Sequence, residues 1–384
     1  MLIHNYKFCV LFKKCIKGIK VVHSCTQFLS NGTVEIQKLA VIASELKHPL
    51  RLTFFGTDSF SVKSLRLLEK EVRSSKLISE LHVITTKLKH GPSPVESFSV
   101  AAGLPVHHWP VSSQNLVATD VGVVVSFGHL IPAEVINAFT LGMLNVHGSL
   151  LPAYRGAAPI IHAVLNGETC TGITVMRIHP KRFDVGEILR TASVEVGRHT
   201  KSRQLHETLS ELGAEHLIEV LRDLPFHFTN ARPQPTEGVS YARKISEKHA
   251  VVSWNEKSAD EIYRQYLALD DHFPLTALWQ DNLVQLREAV LPEDATIRVD
   301  EESVAAPSNE TRNNRRKLSY PPSSTLTEGQ IASGKGSSVL WVGCANNSII
   351  GFKAIKLKGK KTMSPHEFHN GFMSKVTRDK WYFK

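Results

Sequence analysis

No CxxC pair occurs in this 384-residue chain, which removes zinc ribbons and thioredoxin-like redox sites from consideration. The five cysteines supply no disulfide framework: Cys9, Cys15 and Cys25 crowd the N-terminal segment, while Cys170 and Cys344 stand alone. That usage fits a reducing compartment. No apolar run approaches the roughly 18 residues of a membrane-spanning helix, so the chain is not expected to cross a bilayer. His366-Glu-Phe-His369 falls one residue short of a zinc-binding HExxH and reads as a helix start after Ser364-Pro365. No metal site is expected. Internal repeats are missing too, and so are acidic residues before Glu35.

What is present is uneven. The formal charge is +10, but residues 1–34 carry five lysines and no acid, and residues 350–384 carry nine basic residues against Glu367 and Asp379. The remainder is slightly acidic, so basicity has two separate causes. At the N-terminus, Phe12, Cys15, Ile16 and Ile19 recur at helical spacing opposite Lys13, Lys17 and Lys20. This is the composition of a mitochondrial presequence, with Lys in place of the usual Arg. Residues 1–50 are read as that presequence and a flexible N-terminus.

Length favours two domains. From residue 51 short apolar strands alternate with helical stretches: Arg51–Phe55, a Gly56-Thr-Asp58 turn, then a helix with Val62, Leu65 and Leu68 on one face. Strands follow at 81–85, 121–125, 143–147 and 172–178, and Leu205 to Leu221 forms an amphipathic helix. The pattern predicts an α/β domain over 51–229, with a mainly parallel sheet covered on both faces. Asn230 to Gly238, NARPQPTEG, reads as a connector, and 230–245 as the linker. Beyond it the capping-box spacing of Ser258 and Glu261 starts a helix, and strands at 284–291, 339–344 and 348–357 predict a β-rich domain over 246–384. Residues 293–330 hold almost no large apolar side chains and are expected to form a disordered insert.

The chemistry is concentrated between Val121 and Glu187. Asn145 and His147 lie two apart on a strand and so share a face, at the C-terminal strand edge where open α/β sheets place ligands. An amide there can donate to a carbonyl oxygen that becomes an oxyanion, and an imidazole can donate or relay a proton. Asp184 stands on a turn after the next strand. With a single crossover between them, the two strand ends are expected to be neighbours, so that Asp184 can orient or charge-stabilise His147. Spacing alone is generic, since Asn-x-His is common and a loop Asp is ordinarily a solvated turn residue.

The surrounding strings are specific. VVVSFGHLIP, NVHGSLLPAYRGAAPI and GITVMRIHPKRFDVGEIL closely resemble the formyltransferases that use 10-formyltetrahydrofolate, in order and spacing. Over residues 51–375 the likeness is nearest to methionyl-tRNA formyltransferases of the mitochondrial type. That resemblance implies a Rossmann-like N-terminal domain and an OB-like C-terminal domain that contacts tRNA. It implies a catalytic trio of Asn145, His147 and Asp184. For the folate, it implies a site lined by Ser149, Leu150, Leu151 and Pro152 and by the loop Phe127, Gly128, His129, Leu130 and Ile131. It implies formyl transfer from 10-formyltetrahydrofolate to initiator methionyl-tRNA by a monomeric enzyme of the mitochondrial matrix, without a metal. Arg155, Lys356, Lys358 and Lys360 are the candidate tRNA contacts, the lysines being expected on one face of a strand. Ala153-Tyr154 stand where bacterial members usually have Arg-Trp, and the segment after Thr86 is shorter than theirs. Alternatives sharing the trio are enzymes that formylate glycinamide ribonucleotide or a sugar amine, or that hydrolyse the folate; a non-catalytic RNA-binding relative is the reading from another class.

Overall fold

The computed structural model describes residues 49–384 apart from 113, 115, 118, 181, 297–324 and 334–336. The predicted presequence, but for residues 49 and 50, and positions 297–324 of the predicted insert lie outside the described residues. No described helix is long and apolar enough to cross a membrane.

The chain begins with β1 (Leu50–Gly56), α1 (Ser59–Ser74), β2 (Ile78–Thr86), α2 (Pro94–Ala102), β3 (Val106–Trp109) and β4 (Val121–Val125). Asp58 caps α1 by accepting from the backbone N–H of Ser61 at 3.2 Å. Next come α3 (Ala133–Ile136), β5 (Met143–His147), β6 (Arg155–Gly156), α4 (Pro159–Leu165), β7 (Cys170–Arg177), β8 (Ile188–Glu195), α5 (Ser202–Arg222) and α6 (Leu224–Thr229). Seven of these strands form one sheet, in the order β3-β2-β1-β4-β5-β7-β8. The first five are parallel; β7 runs antiparallel to β5, and β8 antiparallel to β7. The predicted strands are all present. β3 and β8 are additional: both are edge strands, β8 with one exposed face and β3 only partly covered on either face, so neither shows the continuous apolar run of a doubly covered strand.

The antiparallel entry of β7 corrects one expectation. Arg177, where β7 ends, lies opposite Leu144, the second residue of β5, and not opposite His147. The two strand ends are therefore not neighbours.

The remaining elements are β9 (Tyr241–Ala242), α7 (Ala259–Leu269), β10 (Leu275–Trp279), β11 (Asn282–Val290), α8 (Pro292–Thr296), β12 (Ile331–Ala332), β13 (Leu340–Cys344), β14 (Ser348–Leu357) and α9 (Pro365–Gly371). Ser258 and Glu261 form the predicted capping box of α7. The antiparallel sheet here has the order β10-β11-β14-β13-β12. Both its margins are tied to the C-terminal residues: Leu278 and Lys384 exchange backbone hydrogen bonds at 2.9 and 3.0 Å, while Phe383 N–H donates to Gly329 at 2.9 Å. The ends of the predicted insert are structured, with Ala295 and Leu326 packed on Val290, Val339 and Trp341.

The lysine row is also corrected. β14 is a central strand and stops at Leu357, so Lys356 is half-buried on the strand while Lys358, Lys360 and Lys361 project from the turn that follows. A turn has no alternating faces, and the charge is gathered at one tip instead of along a strand.

The buried Phe383 packs against Trp254, Trp279 and Phe368. Phe383→Ala should cost about 3–5 kcal/mol of stability. Denaturant unfolding of purified protein checks this, and a loss below about 1 kcal/mol would show that the C-terminal residues do not hold the sheet closed.

Candidate functional site

Parallel register places Val125 of β4 beside Val146 of β5, so the loop after β4 and the end of β5 emerge at one sheet edge. β1 leads to β2 on one side and has β4 on the other, which makes this edge the topological switch point where open α/β sheets bind ligands. Val146 points into the helical layer under α5. A Cβ added at Gly213 would lie 2.7 Å from the Val146 Cγ1, so only glycine lets the helix sit this close. Asn145 and His147 consequently share the opposite face, as predicted.

His147 is buried, and its Nε2–H donates to the Tyr154 carbonyl at 2.9 Å. A carbonyl only accepts, which fixes Nε2 as a donor. On its other side Nδ1 faces the Asp184 Oδ1 at 3.6 Å. Asp184 Oδ2 accepts from the Gly156 N–H at 2.9 Å. Asn145 is half-buried, and no group among the described residues is hydrogen-bonded to its side-chain amide. An uncommitted amide, a buried imidazole and a carboxylate thus meet on one face.

Asp184 reaches His147 because residues 182–187 lie back from the end of β7 toward His147. The strand ends level with Leu144, three residues or about 10 Å short of His147 at ~3.3 Å per residue. Gly186 permits the return: a Cβ there would stand 1.6 Å from the Arg177 carbonyl oxygen. Asp184 itself is left-handed, with φ 52°. Gln234 then holds the loop, its Nε2 donating to the carbonyls of Asp184 at 2.9 Å and Gly186 at 3.0 Å.

The predicted ligand loop divides by burial. Phe127 and Ile131 belong to an apolar cluster with Phe55, Ile84 and Phe139, whereas Gly128 and Leu130 are exposed. His129 stacks on Trp109 with centroids 5.8 Å apart, and its Nε2 is 3.0 Å from the Thr86 Oγ1. The 149–152 segment is braced from inside. Thr174 Oγ1 donates to the Ser149 carbonyl at 2.7 Å and accepts from the Leu151 N–H at 3.0 Å. Ser149 and Leu151 are buried, and Leu150 and Pro152 are half-buried. Arg155 points its guanidinium at Gln234 Oε1, 3.1 Å from Nε and 2.5 Å from Nη2. The buried Tyr154 phenol donates to Glu168, and burial first, then that bond, raises its pKa above the usual phenol value. Lys356, Lys358 and Lys360 lie in the C-terminal sheet and its turn, and pair with no carboxylate among the described residues.

Sequence reasoning missed Thr174, the Tyr154 carbonyl and Gln234. None carries a spacing signal, because each acts through a contact made by the folded chain; Gln234 lies inside the segment read only as a connector. The Cys344 thiol, raised to about 12 by burial, has no part in the site.

The fold and this cluster define a class. Residues 111–221 match the formyl transferase family and residues 244–373 the formyl transferase C-terminal domain. The mitochondrial methionyl-tRNA formyltransferase of Rattus norvegicus is 39% identical over 341 residues, 88% of this chain and 81% of its own. The chain belongs to the methionyl-tRNA formyltransferase family. Solved structures share the fold: the sugar 3N-formyl transferase WlaRD has a TM-score of 0.54 at 15% identity, with 82% of this chain and 100% of that one covered. HypX from Aquifex aeolicus, in complex with tetrahydrofolic acid, has a TM-score of 0.51 at 15% identity, with 85% and 48% covered.

Thr174→Val should strand the buried Leu151 N–H and cost about 1–3 kcal/mol. Chemical denaturation measures this; an unchanged midpoint would mean that the 149–152 segment is held by other contacts.

Proposed function

We propose that this chain transfers the formyl group of 10-formyltetrahydrofolate to the α-amine of methionine carried by initiator tRNA, in the mitochondrial matrix and as a monomer. The observation that carries the reading is the juxtaposition of the Asn145 amide with His147 and Asp184 on the ligand edge of the sheet, in a chain whose relatives are named methionyl-tRNA formyltransferases. Residues 51–229 form the catalytic part, 230–245 the linker and 246–384 the tRNA-binding part, with 1–50 a presequence.

The α-amine, with an ordinary pKa of about 7.7–8.0, is already partly neutral near pH 7. As it adds to the formyl carbon, negative charge collects on the formyl oxygen. The Asn145 side-chain amide, not spent on protein partners, donates to that oxygen. His147 supplies the second donor from Nε2, exchanging the Tyr154 carbonyl for the reacting oxygen. Asp184 stands behind Nδ1, where its charge favours an imidazole that gives up hydrogen bonds on the far side, and it assists removal of the proton from the attacking nitrogen; as the carbonyl re-forms, the formyl C–N10 bond breaks and N10 takes up that proton, releasing tetrahydrofolate and the N-formyl product. Gly128 and Leu130, the exposed part of their loop, and the half-buried Leu150 and Pro152 would border the folate. Phe127, His129, Ile131, Ser149 and Leu151 would support that border from within. Lys356, Lys358, Lys360 and Lys361, which pair with no carboxylate among the described residues, would take tRNA phosphates, positioning the substrate without reading bases. Arg155 is added to them as a tRNA contact only insofar as it can leave Gln234.

Labelled formyl-folate incubated with charged methionyl-tRNA, uncharged tRNA and free methionine tests the activity; label on the charged species alone is expected, and label on free methionine would refute the substrate. Asn145→Ala should lower turnover by about 100- to 1000-fold without loss of folding, and a near-normal rate would remove Asn145 from the site. Affinity for tRNA should fall steeply with salt, and replacing Lys358, Lys360 and Lys361 together by Ala should flatten that dependence by roughly 0.7–0.9 for each phosphate no longer neutralised. Identical slopes for the two proteins would exclude the lysine turn.

A further inference from the structure

The connector between the two halves of the described chain is built into the candidate site. Its residues sit on the 154–158 segment at every step. Ser240 Oγ accepts from the Tyr154 N–H at 2.9 Å, and Arg155 N–H donates to the Ser240 carbonyl at 2.9 Å. Gly156 lies beside Ala242 in the β6·β9 pair, where an added Cβ would meet the Ala242 carbonyl oxygen at 2.6 Å. This same segment provides the carbonyl that holds His147 and the N–H that holds Asp184.

Gln234 is the central contact. Its Oε1 accepts both guanidinium bonds from Arg155, and its two amide hydrogens go to the Asp184 and Gly186 carbonyls. All four of its hydrogen-bonding positions are therefore committed, and the Nε2 also lies 3.8 Å from the Met176 Sδ, on the strand residue opposite Asn145. A side chain with no spare donor or acceptor sets its neighbours' positions closely. Among the described residues, the other contacts of Asp184 with its surroundings are made by its carboxylate, to the Gly156 N–H and the imidazole.

We infer that Gln234 is a positioning residue for formyl transfer: it holds the 184–186 backbone, and through it the Asp184 carboxylate, at His147. The inference rests on the reading of Asp184 as a participant in the chemistry. Gln234 touches no reacting atom and works entirely through the loop. Because it is carried by the connector, the setting of the carboxylate depends on how that connector is seated.

The test uses the full-length protein with charged methionyl-tRNA and 10-formyltetrahydrofolate under single-turnover and steady-state conditions. Gln234→Glu keeps size and the acceptor for Arg155 but turns a carboxylate oxygen toward two carbonyls; Gln234→Ala removes both arms. Each should lower kcat by about 10- to 100-fold, the order expected for a displacement near 1 Å, with KM for either substrate within about twofold in variants whose far-UV circular dichroism shows them folded at the assay temperature. In a double-mutant cycle, adding Gln234→Ala to Asp184→Asn should cost less than about threefold further, since the group being positioned is already disabled. A full second loss in the Asp184→Asn background would show that Gln234 acts elsewhere. Wild-type turnover in Gln234→Glu, or a change confined to KM, would also overturn the inference. Wild-type turnover in Asp184→Asn alone would instead refute the assignment of Asp184, an outcome distinguishable from the other two.

Discussion

A carboxylate must be brought back about 10 Å along a strand that runs the wrong way, and the rest of the site follows from how that is done. β7 descends antiparallel beside β5, so the chain leaves it far from His147. Residues 182–187 return over the face shared by Asn145 and His147, with Gly186 passing the Arg177 carbonyl where no side chain fits. The left-handed Asp184 costs roughly 1–2 kcal/mol relative to ordinary backbone. It is offset by bonds from Gly156 and Gln234 and by the facing imidazole, all anchored outside the loop.

Because the anchors come from β6 and the connector, the site is not a property of the seven-stranded sheet alone. The sheet supplies the edge, the switch point and the common face of Asn145 and His147. Thr174, inside β7, fastens the segment after β5 through one hydroxyl that both donates and accepts. Tyr154, Arg155 and Gly156 then divide their backbone and side-chain groups between His147, Asp184 and residues 234–242. Polar groups arranged this way favour one geometry because each alternative leaves a buried donor or acceptor unpaired.

The C-terminal part is organised differently. Its sheet is tied at both margins by the last residues of the chain, under a cluster of Trp254, Trp279, Phe368 and Phe383. It meets the N-terminal part through α7, where Arg264 donates to the Leu165 carbonyl and Lys201 pairs with Asp270 at 2.9 Å. The lysines that raise the local charge, Lys358, Lys360 and Lys361, stand at a turn and not in a row along a strand. Both arrangements fit the same composition; the end of β14 at Leu357 decides between them.

Much of this was legible in the chain itself. Apolar periodicity marked β1, β4, β5, α1 and α5, the Ser258–Glu261 spacing marked α7, and two-residue strand geometry put Asn145 and His147 on one face, because all of these are local properties of a few consecutive residues. The strings around Asn145, Pro152 and Asp184 carried the family. β3 and β8 escaped because an incompletely covered edge strand needs no apolar run. The direction of β7, the return of residues 182–187 and the seat of Gln234 depend on residues distant in sequence, packed where they exclude water and exhaust one another's hydrogen bonds. Local residue patterns singled out the amide, the imidazole and the carboxylate, and put the first two on one strand. How the carboxylate reaches them, and what braces it there, was set by the folded chain, because that path depends on long-range pairing and close backbone approach, which no local pattern encodes.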